Sequence, residues 1–252
     1  MKIALLIEYD GTDFAGWQIQ PGVRTVQQEI ENAFSLVLQE KIPITASGRT
    51  DSGVHALGLV AHTTMDDAMT MRLDKLAEAL NGNTGRDVVI RSIRKVTDDF
   101  HARYSAVDRE YRYTIFKRRT ALYRNSSWFV WEKLDMASMK RAAFHVVGEH
   151  DFTSYSKRSD DVDHYRSIVD TCELEELDQS MIFTIRANRF VRGMVRSLVG
   201  ALVEVGKGKL NEKRFIELLD NPTEENRAKY LAPAEGLTLW KIRYPKEYGL
   251  WE

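Results

Sequence analysis

The sequence predicts an α+β fold made of two similar halves, each an antiparallel sheet with helices on one side. Two observations carry that expectation. Strand and helix signals run in the order β-α-β-β-α-β between Lys2 and Lys95, and the same order recurs from Glu110 onward. That is the order of a ferredoxin-like unit. The composition permits two cores: of 252 residues, 43% are hydrophobic and 29% charged.

Taken in order, Lys2 to Tyr9 alternates polar and apolar residues as a strand does. Thr25-Val26-Gln27-Gln28 has the spacing of a capping box, with Thr25 as N-cap. It opens a helix whose apolar positions Val26, Ile30, Phe34, Val37 and Leu38 share one face. Ile42 to Ala46 and Val54 to Thr64 read as strands. Met71 to Leu80 reads as a helix stopped by Asn81-Gly82, and Val88 to Lys95 as a strand. In the second half, Glu110 to Lys117 alternates as a strand, and Asp135 to Val147 is helical with Met136, Met139, Ala143, Val146 and Val147 on one face. Ser167 to Glu176 and Met181 to Ala187 form a hairpin around Leu177-Asp178-Gln179-Ser180. Arg192 to Val205 is an amphipathic helix closed by Gly206. An extra helix covers Asn211 to Leu219, and Leu237 to Arg243 is the last strand. The domains are expected at 1–105 and 106–252.

Several function classes drop out. No apolar run is long enough to span a membrane, so no membrane association is expected. The N-terminus lacks the apolar core and cleavage site of a signal peptide. The single Cys172 rules out an internal disulfide and a cysteine-cluster metal site, which points to the cytoplasm. No G-x-G-x-x-G or Walker loop is present; Gly11 and Gly16 in "DGTDFAG" have the wrong spacing. The six histidines show no zinc-like spacing.

The net charge of −1 conceals segregation. Between Arg91 and Arg124 stand ten basic residues against four acids, and between Arg186 and Lys209 six against Glu204 alone. The compensating acids lie in Asp160-Asp161-Val162-Asp163 and Glu173-Leu174-Glu175-Glu176. A basic strip on a near-neutral chain suits a selective polyanion binder, although each cluster also fits a solvated face.

With the other templates gone, "SGRTDSGVHA" (47–56) holds the chemistry. A carboxylate that reacts at neutral pH must stay ionised while shielded from water, and a guanidinium counteracts the pKa rise that burial causes. Arg49 is one such partner for Asp51. Arg189, Arg192 and Arg196, spaced three and four apart beside the stripe Val191, Met194, Val195, Leu198, Val199, Leu202, Val203, are others, able to pair a carboxylate or grip phosphates. In "REYRYTI", Tyr111 and Tyr113 share one strand face. A tyrosine beside a carboxylate can stack on a base or move a proton; a half-buried core tyrosine is the other reading.

Six segments then line up with one known family: "EYDGTDFAGWQIQPGVRTVQQEIENAF", "GRTDSGVHA", "DFHARYSAVDREYRYTI", "HDFTSYS", "NRFVRGMVRSLVGALVEVGKGK" and "APAEGLTLWKIRYP". In content and order they resemble the tRNA pseudouridine synthase A (TruA) family, from Ile3 to Pro245. The resemblance implies an isomerase that converts uridine to pseudouridine at positions 38, 39 and 40 of the tRNA anticodon stem-loop. It implies a homodimer, two ferredoxin-like halves joined through a continuous antiparallel sheet, and no metal, nucleotide or redox cofactor. By the same resemblance Asp51 is the catalytic aspartate and Arg49 holds or displaces the target nucleotide. Tyr111 is the active-site tyrosine and Arg196 the arginine paired with the aspartate. Arg189 and Arg192, from their charge and spacing alone, are expected to join Arg49 and Tyr111 in binding substrate. The alternatives are a synthase for other RNA positions and a non-catalytic RNA-binding module of the same fold. The chain departs from the family pattern at Ser52, where alanine is usual, at "NGNTGRDVVI", at the acidic "KRSDDVDHYRSI" and at Arg192.

Overall fold

A computed structural model of the chain describes every residue except 68, 69, 161, 228 and 252. Asp161 of the acidic run lies outside the described residues. The chain divides into two compact units, residues 1–107 with 239–252, and residues 108–238.

The first unit contains β1 (Lys2–Tyr9), α1 (Val26–Leu38), β2 (Thr45–Ala46), β3 (His55–Thr64), α2 (Leu73–Asn81) and β4 (Val88–Lys95). Its strands run in the order β4-β1-β3, with β2 alongside β3. β1 pairs antiparallel with both neighbours, from Lys2↔Thr64 to Tyr9↔Ala56 and from Ile3↔Lys95 to Tyr9↔Val88. Because side chains alternate across a strand, Ile3, Leu5 and Ile7 are fully buried on one face while Ala4 lies on the other. The second face is covered by Val96, Phe100, Ala102 and Leu250, with Tyr244, Tyr248 and Trp251 packed against them. α2 rests on β4 and on α1 through Leu76, Ala77 and Leu80.

The second unit contains β5 (Asp108–Phe116), β6 (Trp128–Phe129), α3 (Met136–Phe144), β7 (Gly148–Asp151), β8 (Arg166–Glu176), β9 (Ser180–Ala187), α4 (Met194–Gly206) and α5 (Glu212–Asp220). Its strand order is β5-β9-β8-β7. The pairs β5/β9, β8/β9 and β7/β8 are antiparallel, but the short β6 lies parallel to β5. The last strand, β10 (Leu237–Arg243), starts in this unit, and from Leu239 the chain belongs to the first. The sequence assigned that segment to the second half.

Several local expectations change, among them the helix expected to reach Val147, which ends at Phe144. Thr25 has the extended backbone of an N-cap, but its hydroxyl is buried and makes no hydrogen bond, so no capping box forms. The strand expected over 42–46 shrinks to two residues; Ile42 and Ile44 are buried without extending the ladder. The helix expected from Arg192 starts at Met194, because Gly193 takes a left-handed conformation (φ 74°) that ends the preceding loop.

Candidate active site

Asp51 sits in the loop joining β2 to β3, and a second loop from the end of β1 holds it there. Two glycines allow that approach. A Cβ on Gly11 would lie 2.1 Å from Val54 O, and one on Gly16, whose φ is +101°, 2.6 Å from Thr50 O. With no side chain in the way, the backbones bond directly. Trp17 N–H donates to Thr50 O (3.2 Å) and Gly53 N–H to Phe14 O (3.3 Å). The Tyr9 hydroxyl meets Thr50 Oγ1 at 2.7 Å. Gly11 N–H donates to His55 Nδ1 (3.0 Å), with the Asp10 carboxylate 3.1 Å from the same nitrogen. Ser52 adds a tie through its hydroxyl, which donates to Phe14 O (3.1 Å). The loop thus turns Thr50 inward, leaves Asp51 half-buried and exposes Arg49. Both Arg49 and Asp51 keep other interaction partners.

The bracing loop has its own anchor. Arg24 donates to both carboxylate oxygens of Asp87 (2.5 and 2.9 Å) and to Glu29 (3.2 Å). Its guanidinium lies 4.2 Å from the centre of the buried Phe14 ring. The same guanidinium holds the Asp87 carboxyl below its usual range.

In the second unit, Tyr111 lies on β5 opposite Ile185 and meets Phe190 edge-to-face at 4.9 Å. The structure therefore brings Tyr111 up to the β9–α4 connection that carries Arg189 and Arg192. Arg189 Nη1 is 3.2 Å from His164 Nε2. Arg192 is exposed, and its carbonyl accepts Lys157 N–H (2.8 Å). Only Arg196 of the three arginines lies on α4. The expected row along one helix edge is therefore replaced by two loop arginines and one helical one. Arg196 and the segment after α5 are tied twice: Arg196 Nε donates to Ala232 O (2.8 Å), and Ala232 N–H donates to Arg196 O (3.0 Å). Gly200, one turn on, makes room, since a Cβ there would lie 2.5 Å from Tyr230 O. Tyr113, two residues beyond Tyr111, is fully buried and donates to Pro233 O (2.8 Å); burial raises its phenol pKa. It is a core tyrosine.

Comparison with known proteins decides the family. A family model described as tRNA pseudouridine synthase matches residues 5–105 and 142–245. The chain belongs to the tRNA pseudouridine synthase family. It is 42% identical to the tRNA pseudouridine synthase A of Chlorobium chlorochromatii over 96% of this chain and 99% of that one. It is 41% identical to that of Alcanivorax borkumensis (99% and 93%) and 40% to that of Brevibacillus brevis (96% and 99%). A looser likeness, TM-score 0.36 at 10% identity, links 92% of this chain to 61% of a chain in the archaeal box H/ACA sRNP Nop10-Cbf5 complex. This synthase is accordingly an isomerase with tRNA as its substrate class.

Within the synthase, part of the basic strips is neutralised internally. Arg186 donates to Asp170 (2.7 Å), Arg112 to Glu110 (3.1 Å) and Lys117 to Glu176 (2.7 Å); Lys207 lies between Glu132 and Glu204. The surface left for phosphates is smaller than the raw count of basic residues implied. Among the described residues no cluster of His, Cys, Asp and Glu could hold a metal ion, and no helix is long and apolar enough to cross a membrane. Sequence reading missed Arg24, Asp87 and Glu29. The signal available was "GVRTVQQE" inside the first motif, but nothing local ties it to Asp87.

Proposed function

We propose that the chain converts uridine to pseudouridine at positions 38, 39 and 40 of the tRNA anticodon stem-loop, with Asp51 as the nucleophile. The observation that carries the reading is the Asp51 loop. It holds a half-buried carboxylate in a loop that Tyr9, Asp10, Gly11, Phe14 and Trp17 brace, within a motif the family resemblance singles out. Reactive groups need that fixity, because a misplacement of about 1 Å can cost roughly a hundredfold in rate.

Uridine inside an A-form stem hides its glycosidic bond, so the target nucleotide is everted into a pocket. Asp51 then attacks at C6 of the base or C1′ of the ribose, or assists elimination. The N1–C1′ bond breaks, the uracil turns, a C5–C1′ bond forms, and the C5 proton leaves to solvent as N1 regains one. Substrate and product are isomers, so the balance calls for no oxidant and no group donor. Tyr111, held edge-on by Phe190, is proposed to stack on the base. Arg196 is proposed as the guanidinium that keeps the reacting carboxylate anionic. Arg49 would brace the space left by the everted nucleotide, and Arg189 and Arg192 would contact the RNA backbone. The residue-by-residue resemblance supports the roles of Asp51, Arg49, Tyr111 and Arg196; those of Arg189 and Arg192 rest on their charge and spacing. The resemblance also supports a homodimer, a first domain carrying the Asp51 loop and a second carrying Tyr111 and Arg196; a cytoplasmic setting rests on the single cysteine.

Asp51→Asn keeps the loop's packing and removes the nucleophile. It should reduce tritium release from C5-labelled uridine in unmodified tRNA by at least about a thousandfold while tRNA binding persists. Turnover close to wild type would overturn the role of Asp51.

A further inference from the structure

We infer that Tyr104 is a fixed stacking platform for an unpaired RNA base, separate from the site of isomerisation. The inference rests on the tRNA reading and adds a contact to it. Tyr104 is 76% exposed, yet its surroundings hold it in place. Its ring lies 4.4 Å from that of His101 at 35°. Its own N–H, and that of Arg103, donate to His101 Nδ1 (3.3 and 3.1 Å). His101 is locked in turn. Its N–H donates to Ser105 Oγ (3.0 Å), its carbonyl accepts Ser105 N–H (2.9 Å), and its far side meets His62 at 4.7 Å. His62 lies on β3, accepts Ala102 N–H at Nδ1 (3.2 Å) and contacts the core ring Phe100 at 6.0 Å. A ladder of rings thus runs from the core, Phe100–His62–His101–Tyr104, and ends in an exposed aromatic face. Burial and the nearby Lys2 disfavour protonation of both imidazoles, which keeps the Nδ1 acceptors available.

An exposed tyrosine normally samples several rotamers and would lose that entropy on stacking. The His101 contact restrains this one, so a base meets less of that cost. The Arg103 guanidinium lies loosely over the ring, with Cζ 5.7 Å from its centre, and adds positive charge next to a stacked base. A flat, restrained ring with a neighbouring guanidinium fits a nucleobase, since every base offers a π-face. The rung at His62 is seven residues along β3 from His55, where the Asp51 loop ends. At about 3.3 Å per residue that is roughly 23 Å. The platform would therefore take a nucleotide other than the one isomerised.

The test measures equilibrium binding of an unmodified tRNA transcript to the full chain carrying Asp51→Asn, with Tyr104→Ala, Tyr104→Leu or Tyr104→Phe added. Stacking predicts binding weaker by about fivefold or more for Ala and Leu, and within about twofold for Phe. It also predicts an unchanged slope of log affinity against log salt, because no phosphate contact is lost. Wild-type affinity in Tyr104→Ala overturns the platform, and so does an equal loss in Tyr104→Phe. A change in subunit mass on Tyr104→Ala also overturns it, since the ring would then face protein. The control separates the readings. If Asp51→Asn alone retains activity, the catalytic assignment falls, while binding still decides the platform. If the unsubstituted chain binds no tRNA, both fall.

Discussion

The Asp51 loop of the first unit and the Phe190–Arg196 stretch of the second both carry charged side chains proposed to serve the reaction, and they are held by different means. Around Asp51 the restraint includes backbone bonded to backbone, beside two glycines where a methyl group has no room. Around Arg196 the restraint includes the charged side chain itself, whose Nε is bonded to Ala232 O. The backbone of the Asp51 loop is thus placed by its neighbours. The helical arginine helps to position itself. The difference predicts where each unit is most easily damaged: the first at its glycines, the second at the docking of the 230–232 segment on α4.

Gly16→Ala should do the most harm. It places a Cβ 2.6 Å from Thr50 O at φ +101°, and should lower Tm by roughly 5–15 °C. In the fraction that stays folded, kcat should fall by about ten- to a hundredfold, because the displaced backbone carries Asp51 with it. A variant with wild-type kcat would mean that the 10–17 loop does not set the aspartate's position.

Gly200→Ala sharpens the comparison from the other unit. In an ordinary helix interior this change stabilises by about 1 kcal/mol. Here the new methyl would lie 2.5 Å from Tyr230 O, and a net loss of roughly 1–3 kcal/mol is expected. A raised Tm in thermal unfolding would show that the 230–232 segment does not dock there.

Arg24→Ala should have the smallest effect, about 1–2 kcal/mol at neutral pH, because its side chain is 39% exposed and solvent screens the pairs. The Asp87 carboxyl has a lowered pKa in the folded chain. Its stabilisation is therefore present above the usual carboxylate range and is lost as pH falls through the folded value. Urea titrations of wild type and Arg24→Ala should keep their difference from pH 7 down to about pH 4 and converge only as the pH falls further. A difference that stays constant would assign the effect to the Phe14 contact instead.

What the sequence made legible follows from how local each signal was. β1, β4 and β10 have the bounds expected, because period-2 alternation is written in consecutive residues. β6 and β7, of two and four residues, escaped because such short strands exist only through their neighbours' ladders. Arg192 was read as helical because the apolar stripe continues through Val191, but Gly193 breaks the geometry without breaking the pattern. Asp51, Tyr111 and Arg196 are proposed from motifs. The Arg24–Asp87 clamp and the His62–His101 ladder were not legible, since their partners lie 63 and 39 positions apart and no periodicity joins them.

The return of residues 239–252 to the first unit sets an order of events at the ribosome. Leu250 and the rings of Tyr244 and Tyr248 complete the cover over Phe100 and Ala102. At synthesis rates of about 5–20 residues per second, they emerge roughly 7–26 s after the rest of that unit. During that interval a nascent chain would present one uncovered sheet face to chaperones, while the intervening unit, whole in sequence, is free to collapse first.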